Sequence, residues 1–356
     1  MKTNLPESLC FCFLSLLAAQ HANAAAASTY VSSKGVDTNA SANCAQATPC
    51  RTLSAALSVT SPAGEVIVLD SGEYGAASIT QSVSIFAPDG VYAGVTAPSD
   101  QIPGINIYAD NVTVVLRGLS FRGASAYPVG LNVQGSVSMV VRDCDFGNLY
   151  GAIMLYGEPA PGTTVAGNIQ AHIIDTVVHD GSEGIVVTGA AAVSVSHVRL
   201  VNLSNVGLDV GDWEYGQAVV SVSDSEWSAP SLSGGIAFLV FPMSTGSQLY
   251  IDHTVVTGGS VGVRVMATAG EYGFPSGFGY VTVTNSELSK IGTGLSTITL
   301  AGGSAEITFA NCMINANSAG ASNASAGRSS ARAIICSRAT GRMLSEAWRA
   351  SASCDR

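Results

Sequence analysis

Charge is scarce in this sequence. Only 11% of its 356 residues are Asp, Glu, Lys or Arg, less than half of the ~25% usual in a soluble domain. Yet 47% are apolar, which excludes ordinary disorder. Lysine is nearly absent, with Lys2, Lys34 and Lys290 the only three. A chain this short of Lys and Glu lacks the residues of surface helices, and its stretches of Val, Thr, Ser and Ile predict strands instead. Beyond residue 24 no apolar run is long enough for a membrane-spanning helix, so an integral membrane protein is not expected. There is no basic surplus either. A formal charge of -10 and a pI near 4.8 leave no footprint for a phosphate backbone, and nucleic acid is excluded as a partner. His172 and His179 have no Cys or carboxylate at ligand spacing, so neither a metal nor a cofactor is expected.

What charge there is falls unevenly. Arg328, Arg332, Arg338, Arg342, Arg349 and Arg356 crowd the last 29 residues against Glu346 and Asp355, a tail of +4. Residues 25–327 hold 8 basic and 22 acidic side chains, a net of -14. At the other end, Lys2, the apolar run Leu9–Ala19 and Ala22-Asn23-Ala24 have the pattern of an export signal cleaved near Ala24, over residues 1–24. Cys10 and Cys12 leave with it. Cys44 and Cys50 bracket a short loop that an oxidising compartment would close as a disulfide. Cys144 and Cys312 are far apart in the repeat pattern and are expected as buried free thiols.

Glycine is abundant, at 39 residues, and it recurs in phase. From about Asn111 the chain repeats a short alternating strand, a polar residue, an apolar anchor, a polar gap, then Gly and another strand. The anchors are Phe121, Phe146, Val178, Leu200, Trp227, Val256, Leu288 and Ile314, spaced 25, 32, 22, 27, 29, 32 and 26 residues apart. Three residues before each stands Gly118, Asp143, Asp175, His197, Asp224, His253, Asn285 or Asn311, suited to a bend. His197 and His253 are therefore expected to be structural. Two before each stands a mostly small residue, such as Cys144, Thr176 or Ser225, on the inward face with the anchor. Each new strand opens on Gly130, Gly151, Gly184, Gly207, Gly235, Gly262 or Gly294, where glycine suits a left-handed bend. A variable period of about 28 residues with constant anchors predicts a solenoid, because insertions between stacked coils disturb little of the core.

With these columns the sequence resembles the right-handed parallel β-helix proteins of the pectate-lyase-like fold. Thr29-Tyr30-Val31-Ser32 through Gly64-Glu65-Val66-Ile67-Val68-Leu69-Asp70-Ser71-Gly72-Glu73-Tyr74 resembles the N-terminal cap of exported bacterial members. The expected fold class is all-β, a right-handed parallel β-helix with a short N-terminal capping helix. That helix is placed at Arg51–Thr60, where Leu53, Ala56 and Leu57 share a face. The expected organisation is residues 1–24 signal peptide, 25–64 cap, 65–320 β-helix and 321–356 an atypical Arg-rich tail. The tail reads as a frame disruption or as a C-terminal cap in which Cys336 could pair with Cys354.

No family catalytic set can be carried over. None of the body's arginines lies in the lyase context Arg-x-x-Pro-x-x-Arg, and His179-Asp180-Gly181 reverses the Gly-His-Asp of the galacturonan hydrolases. The local candidates are the loops after the Gly-opened strands, which stack along one edge of a solenoid. They carry Glu158, Trp213, Tyr215, Tyr272 and Phe274 as ligand-binding residues, and Asp212, Glu214 and Glu271 as the carboxylates of an enzyme. Aromatic faces stack on sugar rings, and carboxylates bind hydroxyls or act as acid, base or nucleophile. Trp227, in the anchor column, is assigned to the core. The expected function is non-catalytic binding of a polysaccharide or cell-surface glycan along one face. The alternatives are a polysaccharide lyase or glycoside hydrolase, and a structural or adhesive surface module.

Overall fold

Short strands rich in β-branched residues can bury both the backbone and one apolar face only by stacking, and here they stack coil upon coil. The computed structural model describes residues 25–212, 216–231, 234–242, 246–267, 277–299, 303–315, 317–325 and 332–336. Over these residues the chain winds as a right-handed parallel β-helix. Every pairing between its strands is parallel, in one sheet of 20 strands and another of 10. The larger sheet has two faces, joined by the long strands Ile105–Arg117 and Val129–Arg142, which run through both. A typical coil thus has three strands, as in Gly151–Gly157, Asn168–Ile174 and Val177–His179. No helix among the described residues is long and apolar enough to cross a membrane.

The anchor column holds without a slip. Phe121, Phe146, Val178, Leu200, Trp227, Val256, Leu288 and Ile314 are successive Cα partners along the smaller sheet. Phe121 and Phe146 stack with ring centroids 4.3 Å apart, and Trp227 is fully buried. Removing one such large apolar side chain from water stabilises the fold by about 1.5–3 kcal/mol, and the column repeats the gain in every coil.

The bend residues take the left-handed conformation. Gly118, Asp143, Asp175, His197, Asp224, His253, Asn285 and Asn311 all have φ between 45° and 74°, the region that Gly, Asn, Asp and His tolerate best. The small column beside them is a polar ladder. Thr176 Oγ1 donates to Ile174 O at 2.9 Å, Ser225 Oγ to Ser223 O at 2.7 Å and Thr254 Oγ1 to Asp252 O at 2.9 Å. The Val198 and Thr254 amides donate to Ser225 Oγ and Ser286 Oγ of the next coil, both at 3.1 Å. The thiols of Cys144 and Cys312 occupy the same column, bonded to Arg142 O and Ala310 O. Both are free, Cys144 buried and Cys312 half-buried, and burial pushes the Cys144 thiol up to about 12.

The strand-opening glycines have a different reason from the one expected. None of Gly130, Gly151, Gly184, Gly207, Gly235, Gly262 and Gly294 has a positive φ. They are small because a side chain would collide. A Cβ at Gly207 would lie 2.6 Å from both Ala237 O and the Trp227 ring, and one at Gly130 3.0 Å from the Phe146 ring. The left-handed bend and the glycine requirement therefore belong to separate columns.

At the N-terminal end the expected helix narrows to Leu53–Leu57, with Leu53 and Ala56 buried and Thr52 accepting from the Ala55 amide at 3.2 Å. It stops early because the chain is already extended from Thr60, where the strand Thr60–Val68 begins. Cys44 and Cys50 form a disulfide, both fully buried. At the C-terminal end strands continue beyond residue 320. Ala319–Ser325 pairs with Thr293–Thr299, and Arg332–Cys336 with Ser304–Ala310. The repeat is hard to see there because no anchor follows Ile314. The signal peptide expected at residues 1–24, all of the tail 321–356 except 321–325 and 332–336, and the Cys336–Cys354 pairing lie outside the described residues.

Candidate functional site

The first face of the larger sheet turns three rows of side chains outward. One row, in register, runs Ser78, Asn106, Asn132, Met154, Val186, Asp209, Leu239, Arg264, Ser296. Beside it run Tyr108, Gln134, Tyr156, Thr188, Gly211 and Phe241. A third row runs Val129, Gly151, Glu183, Val206 and Ile236. The two carboxylates of these rows, Glu183 and Asp209, lie on neighbouring strands.

Glu183 opens the strand Glu183–Gly189 and is half-buried. Asn205 Nδ2 donates to its Oε1 at 3.0 Å, and Tyr150 stands close enough for the Glu183 charge to act on its phenol. Burial pushes the Glu183 carboxyl up, against the pull of Asn205 and Tyr150. Its negative charge, ahead of burial, raises the Tyr150 phenol. It also adds to burial in raising Tyr156. Tyr150 is 37% exposed and meets Tyr127, 60% exposed, edge to face with centroids 5.2 Å apart. The Tyr127 amide donates to Asp100 Oδ1 at 2.7 Å.

Asp209 lies in the middle of the strand Val206–Asp212, in register with Val186 and Leu239. Burial and the Glu183 charge raise its carboxyl to about 7, opposed by a backbone bond at Val210. Its Oδ1 is buried with no hydrogen-bond partner. Such an oxygen has spare capacity for a ligand, and a carboxyl near 7 can give or take a proton at neutral pH. The arrangement thus offers two exposed aromatic faces, one carboxyl acceptor held by Asn205, and one carboxyl that is a donor when protonated.

The loop residues expected from sequence are reached only in part. Glu158 is half-buried, and its charge acts on Tyr156, so it belongs to this cluster. Asp212 ends its strand in register with Pro242, and its side chain lies outside the described residues. So do Trp213, Glu214, Tyr215, Glu271, Tyr272 and Phe274. Glu183, Asp209, Tyr127, Tyr150 and Asn205 were not singled out from sequence. Aligning Met154, Val186, Asp209 and Leu239 marks Asp209 as an acid between apolar neighbours, whereas Tyr127 and Tyr150 sit in turns with no periodic signal. A hollow farther along the same face, lined by Ser54, Ala77, Ser78, Gln101, Ile102 and Asn106, contains no ionisable side chain. Among the described residues no three His, Cys, Asp or Glu side chains are grouped to hold a metal ion.

No protein-family model matches this sequence, and no curated protein matches it. Solved structures do resemble it. One is pectate lyase Pel9A, with a TM-score of 0.52 and 14% identity over 82% of this chain and 79% of that one. Another is the GH136 lacto-N-biosidase from Eubacterium ramulus, with a TM-score of 0.49 and 12% identity over 87% of this chain and 67% of that one. At such identities the likeness is one of fold.

Proposed function

We propose that the protein is exported and binds a glycan along the outer face around Glu183. The observation that carries this reading is the Tyr127–Tyr150 pair. Two exposed aromatic rings meet edge to face, and one of them, Tyr150, lies in the field of the Glu183 carboxylate. Rings present apolar faces to the C–H side of a sugar, while Glu183, Asn205 and Asp209 can satisfy hydroxyls at its rim. A column of parallel strands about 4.8 Å apart repeats along a linear direction, which suits a linear polymer. Export is supported by the leader pattern of residues 1–24 and by the Cys44–Cys50 disulfide, which persists in an oxidising compartment.

A second reading, glycan cleavage, is favoured by Asp209. Protonated near neutral pH, its carboxyl could give a proton to a glycosidic oxygen while Glu183 acts as the base or nucleophile. One experiment separates the readings. Protein recovered from an exporting host, its mature N-terminus expected at Ala25, is screened on a glycan array, and turnover of the retained polysaccharides is followed. Binding that falls at least about tenfold in Tyr150→Ala, with no turnover, supports a binder. Turnover abolished in Asp209→Asn with binding retained makes it an enzyme. Absence of both in folded protein leaves the structural or adhesive module.

A further inference from the structure

Six arginines lie in the body of the solenoid, and five of them are partnered within the chain. Arg117 pairs with Asp143 at 2.9 Å, Arg142 with Asp175 at 3.3 Å, and Arg199 with Glu226 at 3.3 Å. Arg122 pairs with Asp145. Arg51 donates to Glu73 O and stands 5.8 Å over the Tyr74 ring. Arg264 has no ion pair or hydrogen bond among the described residues. Its Nε is buried without a partner, and desolvation alone lowers its basicity.

The place of this cation matters. Arg264 stands in the outward row, one strand beyond Leu239 and two beyond Asp209, with Ser296 next. Two strand spacings are about 10 Å, so a chain lying along the row meets both unpartnered groups. A guanidinium deprived of water without an anion is unfavourable, and the cost is removed when an external anion completes its bonds. Its planar fork fits the two oxygens of a carboxylate or sulfate. The body around it is net negative, so diffuse attraction does not recruit an acidic polymer, and recognition must be local.

We infer that Arg264 is an anion subsite of the glycan face, binding a carboxylate or sulfate group carried by the saccharide. This rests on the glycan reading and narrows it to acidic glycans. It does not depend on whether the ligand is cleaved.

The test measures retention of neutral, uronate-bearing and sulfated oligosaccharides of matched length by wild type, Arg264→Gln, Arg264→Lys and Tyr150→Ala. Wild type is expected to prefer one acidic class, and which class it prefers identifies the anion. Arg264→Gln should lose about 10- to 100-fold on that class while neutral binding stays unchanged, and Arg264→Lys should recover part of the loss. Thermal midpoints within a few degrees of wild type verify folding, and Arg264→Lys serves if the Gln variant does not fold. Equal loss on neutral and acidic ligands, or no loss on either, overturns the inference and leaves the glycan reading standing. Failure of every saccharide to bind overturns the glycan reading and the inference together.

Discussion

Asp209 places a carboxyl among apolar neighbours, where its charge is disfavoured. Burial first, and then Glu183, raise it to about 7 from an ordinary 3.8. The folded state therefore holds this proton more tightly than the unfolded chain does. The stability tied to it is full below about pH 4 and is lost as pH rises through about 7. Asp209→Asn, which has no charge to desolvate, is expected to remove that loss. Its thermal midpoint should match wild type near pH 4 and exceed it by about 2–5 °C at pH 8, read by circular dichroism melts across the range. A parallel pH dependence in both proteins would assign the titration to another group. Glu183 is less suited to this test, because its substitution also releases Asn205.

At the scale of the element, a coil is defined by two neighbouring constraints. The bend three residues before the anchor needs a left-handed backbone, and the strand opening needs a missing side chain. Asp224 has φ 49° and lies three residues before Trp227. Asp224→Gly keeps that conformation available and is expected to change stability by less than about 0.5 kcal/mol. Asp224→Val forces a β-branched residue into the left-handed region and is expected to cost about 1–3 kcal/mol. Urea unfolding of the two variants measures the difference, and equal midpoints would contradict the role given to this column. Much of this element was legible in the sequence. All eight anchors fall in register as their spacing predicts. The reason for glycine was not legible, because collision of a Cβ with the Trp227 ring depends on a residue 20 positions away in the chain.

For the whole molecule, a solenoid distributes stability by neighbours, since each coil touches only the coils beside it. Damage at one end should remain there. The Cys44–Cys50 disulfide closes a loop of a few residues, worth about 2 kcal/mol by loop entropy. Replacing both cysteines with serine is expected to speed amide exchange in the strands Ala26–Val31 and Thr60–Val68. Exchange in strands many coils away, such as Thr293–Thr299, should be unchanged. Uniform loss of protection by hydrogen exchange mass spectrometry would instead indicate one cooperative unit.

The sequence by itself determined the architecture, because strand alternation, bend residues and anchors are local patterns that only stacking in register satisfies together. It also determined the disulfide, through two cysteines too close in the chain to miss each other. The site was decided by tertiary structure. Tyr150, Glu183, Asn205 and Asp209 come from three successive coils, and their spacing in the chain has no period. Winding converts sequence separation into distances set by the gap between strands. The same winding desolvates Asp209 and Arg264, and desolvation depends on neighbours that no local pattern names. The ends of the chain follow the same division. Arg332–Cys336 has only three apolar residues between its polar ends, too few to mark a strand, and it becomes one through the backbone of Ser304–Ala310 beside it.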